Sequence, residues 1–473
     1  MAAGRSRARA GSGGVVARVP VSATEGILWP ALPSAAGAQR LGLLYQLQQS
    51  QGWSPDDLHA WQMRQVSVLL DHAQRTVPYY TERLRAAGVR PGAPVTSDVW
   101  ARIPLLRRAD IQDAGDTLHS TELPDQHGPT QSGSTSGSTG RPIVTLSTRI
   151  TRLLWDVFTL RDHLWHRRDF RGKLASIRAF ADGKALYPKG ATLRTWGPAV
   201  ASVFPTGPAV GLSLLATTEQ QAQWLVRQNP DILLTFPSAA RALARHCKER
   251  GITIPRLRGV RTVSEVLGSD TRAACRAAWN VPVVDIYSAR ETGYIALQCP
   301  EHEHYHVQSE GVLVEILDKA GDACAPGEIG RVVVTVLHNF AMPLIRYEVG
   351  DYAEVGPPCP CGRGLPVIRR ILGRTRSMVR LPGGGQRWPL IAEYRYHEIA
   401  PIRQFQVVQK TLHQLEVRLV ADRPLTDDEA AQLRGMILDR IRHPFEITLS
   451  YHDEIPRGPG GKYEDFTSEL GEI

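Results

Sequence analysis

The spacing of apolar and polar positions divides the chain into an alternating segment, a strand-rich stretch and a small terminal unit. Residues 57–87 carry a helical period and predict two helices with Pro78 between them. From about 150 to 290 helix and strand patterns alternate. Thr217 with Gln220 forms a capping box that opens a helix. The run Ile232–Phe236 reads as a buried strand, and Ser238 is expected to cap a helix that Gly251 ends. A strand near Val260, a helix after Ser269 and a strand Val283–Tyr287 entered through Pro282 continue the series. This βαβα order implies a mostly parallel sheet with helices on both faces. After residue 310 the pattern changes: Val312–Leu317 and Val332–Leu337 are strands with no long helix between them. From about 375 onward Gln404–Gln409 and Leu415–Val420 are strands. A helix opened by Thr426 and Glu429 then runs to about Ile441, and Ile447–Tyr451 completes a ββαβ unit.

Composition narrows the function classes. A chain of 473 residues, 42% hydrophobic and 22% charged, can bury a large core, so disorder throughout is excluded. The apolar runs are strand-sized, which excludes a membrane-spanning helix and gives no membrane partner. The net charge of +9 is scattered, and four of its arginines (Arg5, Arg7, Arg9 and Arg18) lie in a Gly-, Ser- and Ala-rich tail before the first acid, Glu25. No nucleic-acid partner is expected from so diffuse a charge. Six cysteines are too few for a disulfide framework, and with no secretory apolar segment a cytoplasmic location is expected.

Gln131–Pro142 reads Q-S-G-S-T-S-G-S-T-G-R-P, with three glycines and six hydroxyl residues before Arg141. Such a loop can turn backbone N–H groups inward as an anion nest, with hydroxyl donors and a fixed positive charge added. Composition alone favours a flexible linker. The loop is neither a Walker A sequence nor G-x-S-x-G, because position 135 is Thr. It sits at the entry to the alternating segment and ends in a β run, Ile143–Leu146, which favours the nest.

The segment Thr135–Pro142, T-S-G-S-T-G-R-P, resembles the phosphate loop of the adenylate-forming enzymes. Four further motifs follow in that family's order: Asp285–Gly293, Pro343–Asp351 (P-L-I-R-Y-E-V-G-D), Gly373–Met378 and Gly460–Lys462. Ile103–Ile111 and the F-P-S of Phe236–Ser238 are similar to the phenylacetate–CoA ligase branch. The resemblance spans roughly residues 60–470. It implies a fold of α/β class: a large N-terminal ATP- and acid-binding α/β domain with a β-rich end over 25–373, followed by a small mobile α+β domain over 374–473. Residues 1–24 are expected to be a disordered leader.

The resemblance implies a chemistry in which a carboxylate attacks the α-phosphorus of ATP and pyrophosphate leaves. Ser134, Thr135, Ser136, Gly137, Ser138, Thr139, Gly140 and Arg141 would hold the β- and γ-phosphates. Glu291 would bind Mg²⁺, Tyr287 would stack on adenine, Asp351 would accept both ribose hydroxyls and Arg374 would contact ribose or phosphate. Lys462, one of only seven lysines and set in a glycine-rich loop, would meet the developing charge at the α-phosphate and the substrate carboxylate. The small domain would then swing so that CoA could attack the acyl-adenylate.

Several positions depart from the family pattern. Arg290 stands where Thr or Ser is usual, Ser288 replaces a Gly, and Arg141 replaces a Lys. Arg376 and Ser377 occupy the hinge Asp pair, which puts the swing, and with it the CoA step, in question. The acid pocket is expected at Phe236, Val263, Ser264 and Ala289. Of these, Val263 and Ser264 lie in T-V-S-E-V-L, similar to the family's T-x-G-E-x-L.

Cys299, His306, Cys359 and Cys361, with His302 as alternate, form a candidate structural Zn²⁺ set. Free buried cysteine is the ordinary alternative. His302–His306 also matches H-E-x-x-H, but Pro300 and the following strand rule out the helix a zinc protease needs. The expected function is ATP-dependent conversion of an acid, aryl or arylacetic, to a CoA thioester. The alternatives are an adenylating ligase with an amine or other acceptor and, from another class, a non-catalytic RNA-binding protein on this scaffold. A homodimer is the default assembly.

Overall fold

The computed structural model describes residues 19–134, 143–181, 183–374, 378–389, 396–458 and 462–470. A short antiparallel hairpin, β1 (Gln131–Ser134) with β2 (Val144–Ser147), precedes the main sheet. Thr135–Pro142 between them, hence Thr135, Ser136, Gly137, Ser138, Thr139, Gly140 and Arg141, lie outside the described residues, as do Arg376 and Ser377.

The main sheet is built first from β3 (Leu174–Arg178), β4 (Ala191–Leu193), β5 (Ala209–Ser213), β6 (Ile232–Thr235), β7 (Gly259–Val263) and β8 (Val283–Ala289). It continues through β9 (Gly293–Gln298), β10 (Tyr305–Val307), β11 (Val312–Leu317), β12 (Ile329–Val336), β13 (Tyr347–Val355) and β14 (Val367–Arg374). The twelve lie in the order β11-β12-β13-β14-β10-β9-β8-β7-β6-β3-β5-β4. Strands β5, β3, β6, β7 and β8 run parallel. From β8 onward each neighbour is antiparallel. The alternating segment and the strand-rich stretch are therefore one continuous sheet, joined where β8 pairs with β9.

Both faces of the parallel part are covered, as βαβα order requires. Helices Thr218–Gln228, Pro237–Glu249 and Ser269–Trp279 bury Trp224, Leu225, Leu243 and Cys275 on one face. Helices Ala35–Ser50 and Arg149–Trp165 bury Leu44, Val157 and Leu160 on the other. Thr217 and Gln220 make the expected capping box. Ser238 does not cap its helix. Pro237, whose ring presets a helical φ, starts the helix earlier, and the cap position is Phe236. The Ser238 N–H bonds instead to Glu265 Oε2, 2.9 Å away. Within the stretch expected as a leader, Val21 N–H donates to the Val203 carbonyl at 2.8 Å.

The small unit holds the hairpin β15 (Val379–Arg380) and β16 (Gln386–Arg387), then β17 (Ile402–Gln409), β18 (Gln414–Ala421), β19 (Glu446–Tyr451) and β20 (Phe466–Ser468). Its sheet order is β19-β18-β17-β20. Helix Asp427–Ile441, opened by the Thr426–Glu429 capping box, packs Leu433 and Ile437 against Phe405 and Leu415. The last strand, β20, is additional to the four elements the pattern predicted. It pairs in parallel with β17 and anchors the chain just after Lys462. Among the described residues no helix is long and apolar enough to cross a membrane.

Candidate active site

The carboxyl ends of parallel strands are where an open α/β sheet presents loops to a ligand. Here they open into a cavity of about 940 Å³ lined by Phe236, Val263, Ser264, Tyr287, Ala289 and Arg290, and further by Glu291, Asp351, Arg374 and Lys462. The four expected acid-pocket residues thus share one space with Tyr287, Arg290, Glu291, Asp351, Arg374 and Lys462. Phe236 closes β6, Val263 and Ser264 close β7, and Ala289 closes β8. Ser264 holds a left-handed backbone (φ 75°) where the family motif has glycine.

Asp351 and Arg374 are brought together by the backbone. They are register partners on β13 and β14, and their side chains approach to 3.7 Å. The Tyr287 hydroxyl donates to Asp351 Oδ2 at 2.9 Å. Burial raises the Tyr287 pKa, and the Asp351 charge raises it further, so the phenol stays protonated as the donor. Tyr347, in the P-L-I-R-Y motif, donates to Glu291 Oε1 at 3.3 Å. Arg290 is exposed, and its guanidinium donates to the Ser134 carbonyl, which ties the start of the Gly/Ser/Thr loop to the end of β8.

Lys462 comes from the other domain. Its carbonyl accepts the Gly458 N–H at 2.8 Å, which fixes the loop on one side while β20 fixes it on the other. Burial lowers the Lys462 pKa below the ordinary lysine value, and Arg374 lowers it further. Asp351, Glu291 and Glu265 offset part of this. The ammonium therefore stands among the groups that the sequence assigned to ribose and metal.

Glu265 is a site residue that the sequence reading passed over, although T-V-S-E-V-L contains it. One oxygen accepts the Ser238 N–H; the other accepts the N–H of Tyr463 at 2.6 Å. Arg457 reaches Ser238 Oγ at 2.8 Å and Glu265 Oε1 at 3.4 Å. A second set of contacts joins Arg241 to Asp465 at 3.4 Å and Arg245 to His397 Nδ1 at 2.9 Å. Burial pushes the Asp465 carboxyl up to about 6, against the pull of Arg241. These polar contacts tie the lysine loop to helix Pro237–Glu249 and to the acid-pocket wall.

Away from the cavity, Cys299, His306, Cys359 and Cys361 place one ligand atom each within 4.8 Å of the others. Cys299 Sγ lies 3.9 Å from Cys359 Sγ, and Cys361 Sγ lies 3.4 Å from His306 Nε2. Edges of this length suit a tetrahedron with metal–sulfur bonds of about 2.3 Å. His306 Nδ1 faces the Leu365 carbonyl at 3.4 Å, and burial lowers the imidazole to about 4, so the ring is neutral and able to ligate. His302 stands outside this set and stacks on His304 at 5.1 Å. His302–His306 runs through a bend into β10, so it is not the helix of a zinc protease.

Known proteins resemble this arrangement. Residues 393–468 match the family model of the CapK C-terminal domain. The phenylacetate-coenzyme A ligase of Thermus thermophilus is 25% identical over 444 residues, covering 86% of this chain and 95% of that protein. The Escherichia coli phenylacetate-coenzyme A ligase is 23% identical over 431 residues, 86% of this chain and 94% of the relative. In three dimensions, 2-hydroxyisobutyryl-CoA ligase in its postadenylation state superposes with a TM-score of 0.67 at 17% identity, over 86% of this chain and 89% of that one. The fold is that of the adenylate-forming enzymes. In sequence the chain is similar to phenylacetate-coenzyme A ligases, at 25% identity to the first of the two above and 23% to the second.

Proposed function

We propose that the protein activates a carboxylic acid, aryl or arylacetic, with ATP and passes the acyl group to CoA. The observation that carries this reading is the meeting of Lys462 with Asp351, Glu291 and Arg374 over the cavity that Phe236 and Val263 line. An acid carboxylate oxygen attacks the α-phosphorus, the bond to the bridging oxygen of the β-phosphate breaks, and pyrophosphate leaves. Positioning and charge neutralisation supply the rate. Lys462 and Arg374 bring positive charge to the α-phosphate, and Asp351 receives the ribose hydroxyls beside Tyr287. Adenine lies against Tyr287, and the loop from Ser134 to Arg141, held at its start by Arg290, cradles the outer phosphates. In the second step the CoA thiolate attacks the acyl carbon, AMP leaves, and the thiol proton goes to solvent.

Glu291 would hold Mg²⁺, which shields phosphate charge when bound. Its carboxylate lines the cavity and receives a hydroxyl donor, Tyr347, at 3.3 Å. Cys299, His306, Cys359 and Cys361 would hold a structural Zn²⁺ that ties β9 and β10 to the loop before β14. Metal analysis of the purified protein tests this, and less than a tenth of an equivalent of zinc after growth in zinc-replete medium would contradict it. The composition supports a cytoplasmic enzyme.

The test is product analysis after incubation with ATP, Mg²⁺, CoA and a panel of aryl, arylacetic and fatty acids. AMP together with an acyl-CoA thioester is expected. Adenylate formation with no thioester, and transfer to an added amine, would favour the amide-forming alternative. Salt-sensitive RNA binding without AMP formation would favour the non-catalytic one.

A further inference from the structure

The acid pocket extends well beyond the residues named so far. The β-sheet register shows its direction. Ser176 pairs with Leu234, and Thr235 pairs with Thr262. Continuing these pairings by one or two residues puts Arg178, Phe236 and Val263 in one row across the carboxyl edge of β3, β6 and β7. All three line the cavity. Lys462 meets Glu265 just beyond the end of β7, so the activated carboxylate belongs over that strand. Arg178 lies two strands away, about 10 Å at the usual strand spacing.

The guanidinium groups around this cavity differ in one respect. Arg241 is committed to Asp270 at 2.8 Å, Arg261 to Asp162 at 2.7 Å, Arg370 to Glu354 at 2.6 Å and Arg374 to Asp351 at 3.7 Å. Among the described residues Arg290 is bound instead to the Ser134 carbonyl, and Arg178 meets no such carboxylate. Among the described residues its partner is the ring of Phe180, 5.2 Å from the guanidinium carbon. Burial lowers its pKa, and no neighbouring acid raises it back. Trp155, Trp196 and Leu174 line the same cavity. Arg178 is exposed at the cavity with its guanidinium over an aromatic ring, and a cation so placed, with no counter-charge among the described residues, is a site for an anionic oxygen group.

On the reading that this cavity activates an acid, we propose that Arg178 selects the substrate's far end. The acid then carries a second anionic oxygen group, a carboxylate, about 10 Å from the carboxylate that is adenylated. The apolar row between the two ends, Phe236 and Val263, takes the aryl or methylene spacer. A matched monoacid fills the same spacer region but leaves Arg178 without its counter-charge. One charge-assisted bidentate pair in such a setting is worth about a factor of 10 to 100.

The experiment compares matched pairs by acid-dependent pyrophosphate release: 1,4-phenylenediacetate against 4-methylphenylacetate, and suberate against octanoate. At low salt the wild type is expected to favour the dianion by about 10-fold or more in kcat/KM. The preference should shrink as ionic strength rises. In Arg178→Leu the ratio of dianion to monoacid should fall to about one, and Arg178→Lys should keep an intermediate ratio. Because the ratio is taken within one variant, a general loss of folded protein does not alter it. A wild type that prefers the monoacid, or a ratio that R178L leaves unchanged, overturns the role of Arg178 while acid activation stands. No release with any acid overturns the functional reading itself, and the two failures are thereby distinct.

Discussion

On the proposed function, Lys462 is the residue on which the chemistry turns, and its surroundings make a specific demand. Its pKa is lowered from 10.5, by burial first and by Arg374 second. A group that must carry its proton to neutralise phosphate loses function as pH rises through that lowered value. The alkaline limb of kcat/KM for adenylation should therefore fall below pH 10.5, the ordinary lysine value. In Lys462→Arg the cation does not titrate in this range, so the limb should move to higher pH, with lower kcat because a guanidinium is bulkier and differently shaped. An alkaline limb identical in the two enzymes would assign it to another group. Arg290 shows the limit of reading single residues from a motif. Its side chain spans to the Ser134 carbonyl. A contact between residues 156 positions apart leaves no trace in local pattern.

At the scale of elements, helix Pro237–Glu249 links acid pocket and lysine loop. Its N-terminus takes the Glu265 carboxylate, a favourable placement of negative charge. The same carboxylate holds the Tyr463 N–H next to Lys462. On the proposed function, Glu265 is a positioning residue for the adenylating arrangement. In Glu265→Gln one acceptor oxygen becomes an N–H donor facing either the Ser238 or the Tyr463 amide. Acid-dependent pyrophosphate release should drop about 10- to 100-fold, as loss of a buried charged hydrogen bond predicts. Thioester formation from preformed acyl-adenylate should hold or rise. Equal loss in both half-reactions would show that Glu265 only stabilises the fold. Some of this was legible in advance. The capping boxes at Thr217 and Thr426 marked their helices because the two residues concerned are three positions apart. Strands β3 and β5 were not marked, since L-A-S-I-R and A-V-G-L-S are too short and too mixed for periodicity to register. Arg178, at the end of β3, went unnoticed with its strand.

For the whole molecule, Tyr287, Asp351, Arg374 and Lys462, from four of the five ordered motifs, line one cavity, and the first three lie on strands of one sheet. The cysteine set was also legible. Cys359 and Cys361 are neighbours in sequence, and β10 brings His306 alongside β14. Sequence could not tell how the two domains stand. Distances across the joint come from polar contacts, such as Arg241 with Asp465 and Arg245 with His397, that no local pattern encodes. In the observed stance the small domain delivers Lys462 to the large domain's cavity, so neither domain should adenylate alone. The direct test is acid-dependent exchange of labelled pyrophosphate into ATP, measured in the full-length protein and in Lys462→Ala. The account predicts exchange that requires an acid, falls at least about 100-fold in the variant, and leaves the variant able to form thioester from supplied acyl-adenylate and CoA. Exchange undiminished in Lys462→Ala, in protein of unchanged melting temperature, would contradict a site shared between the two domains.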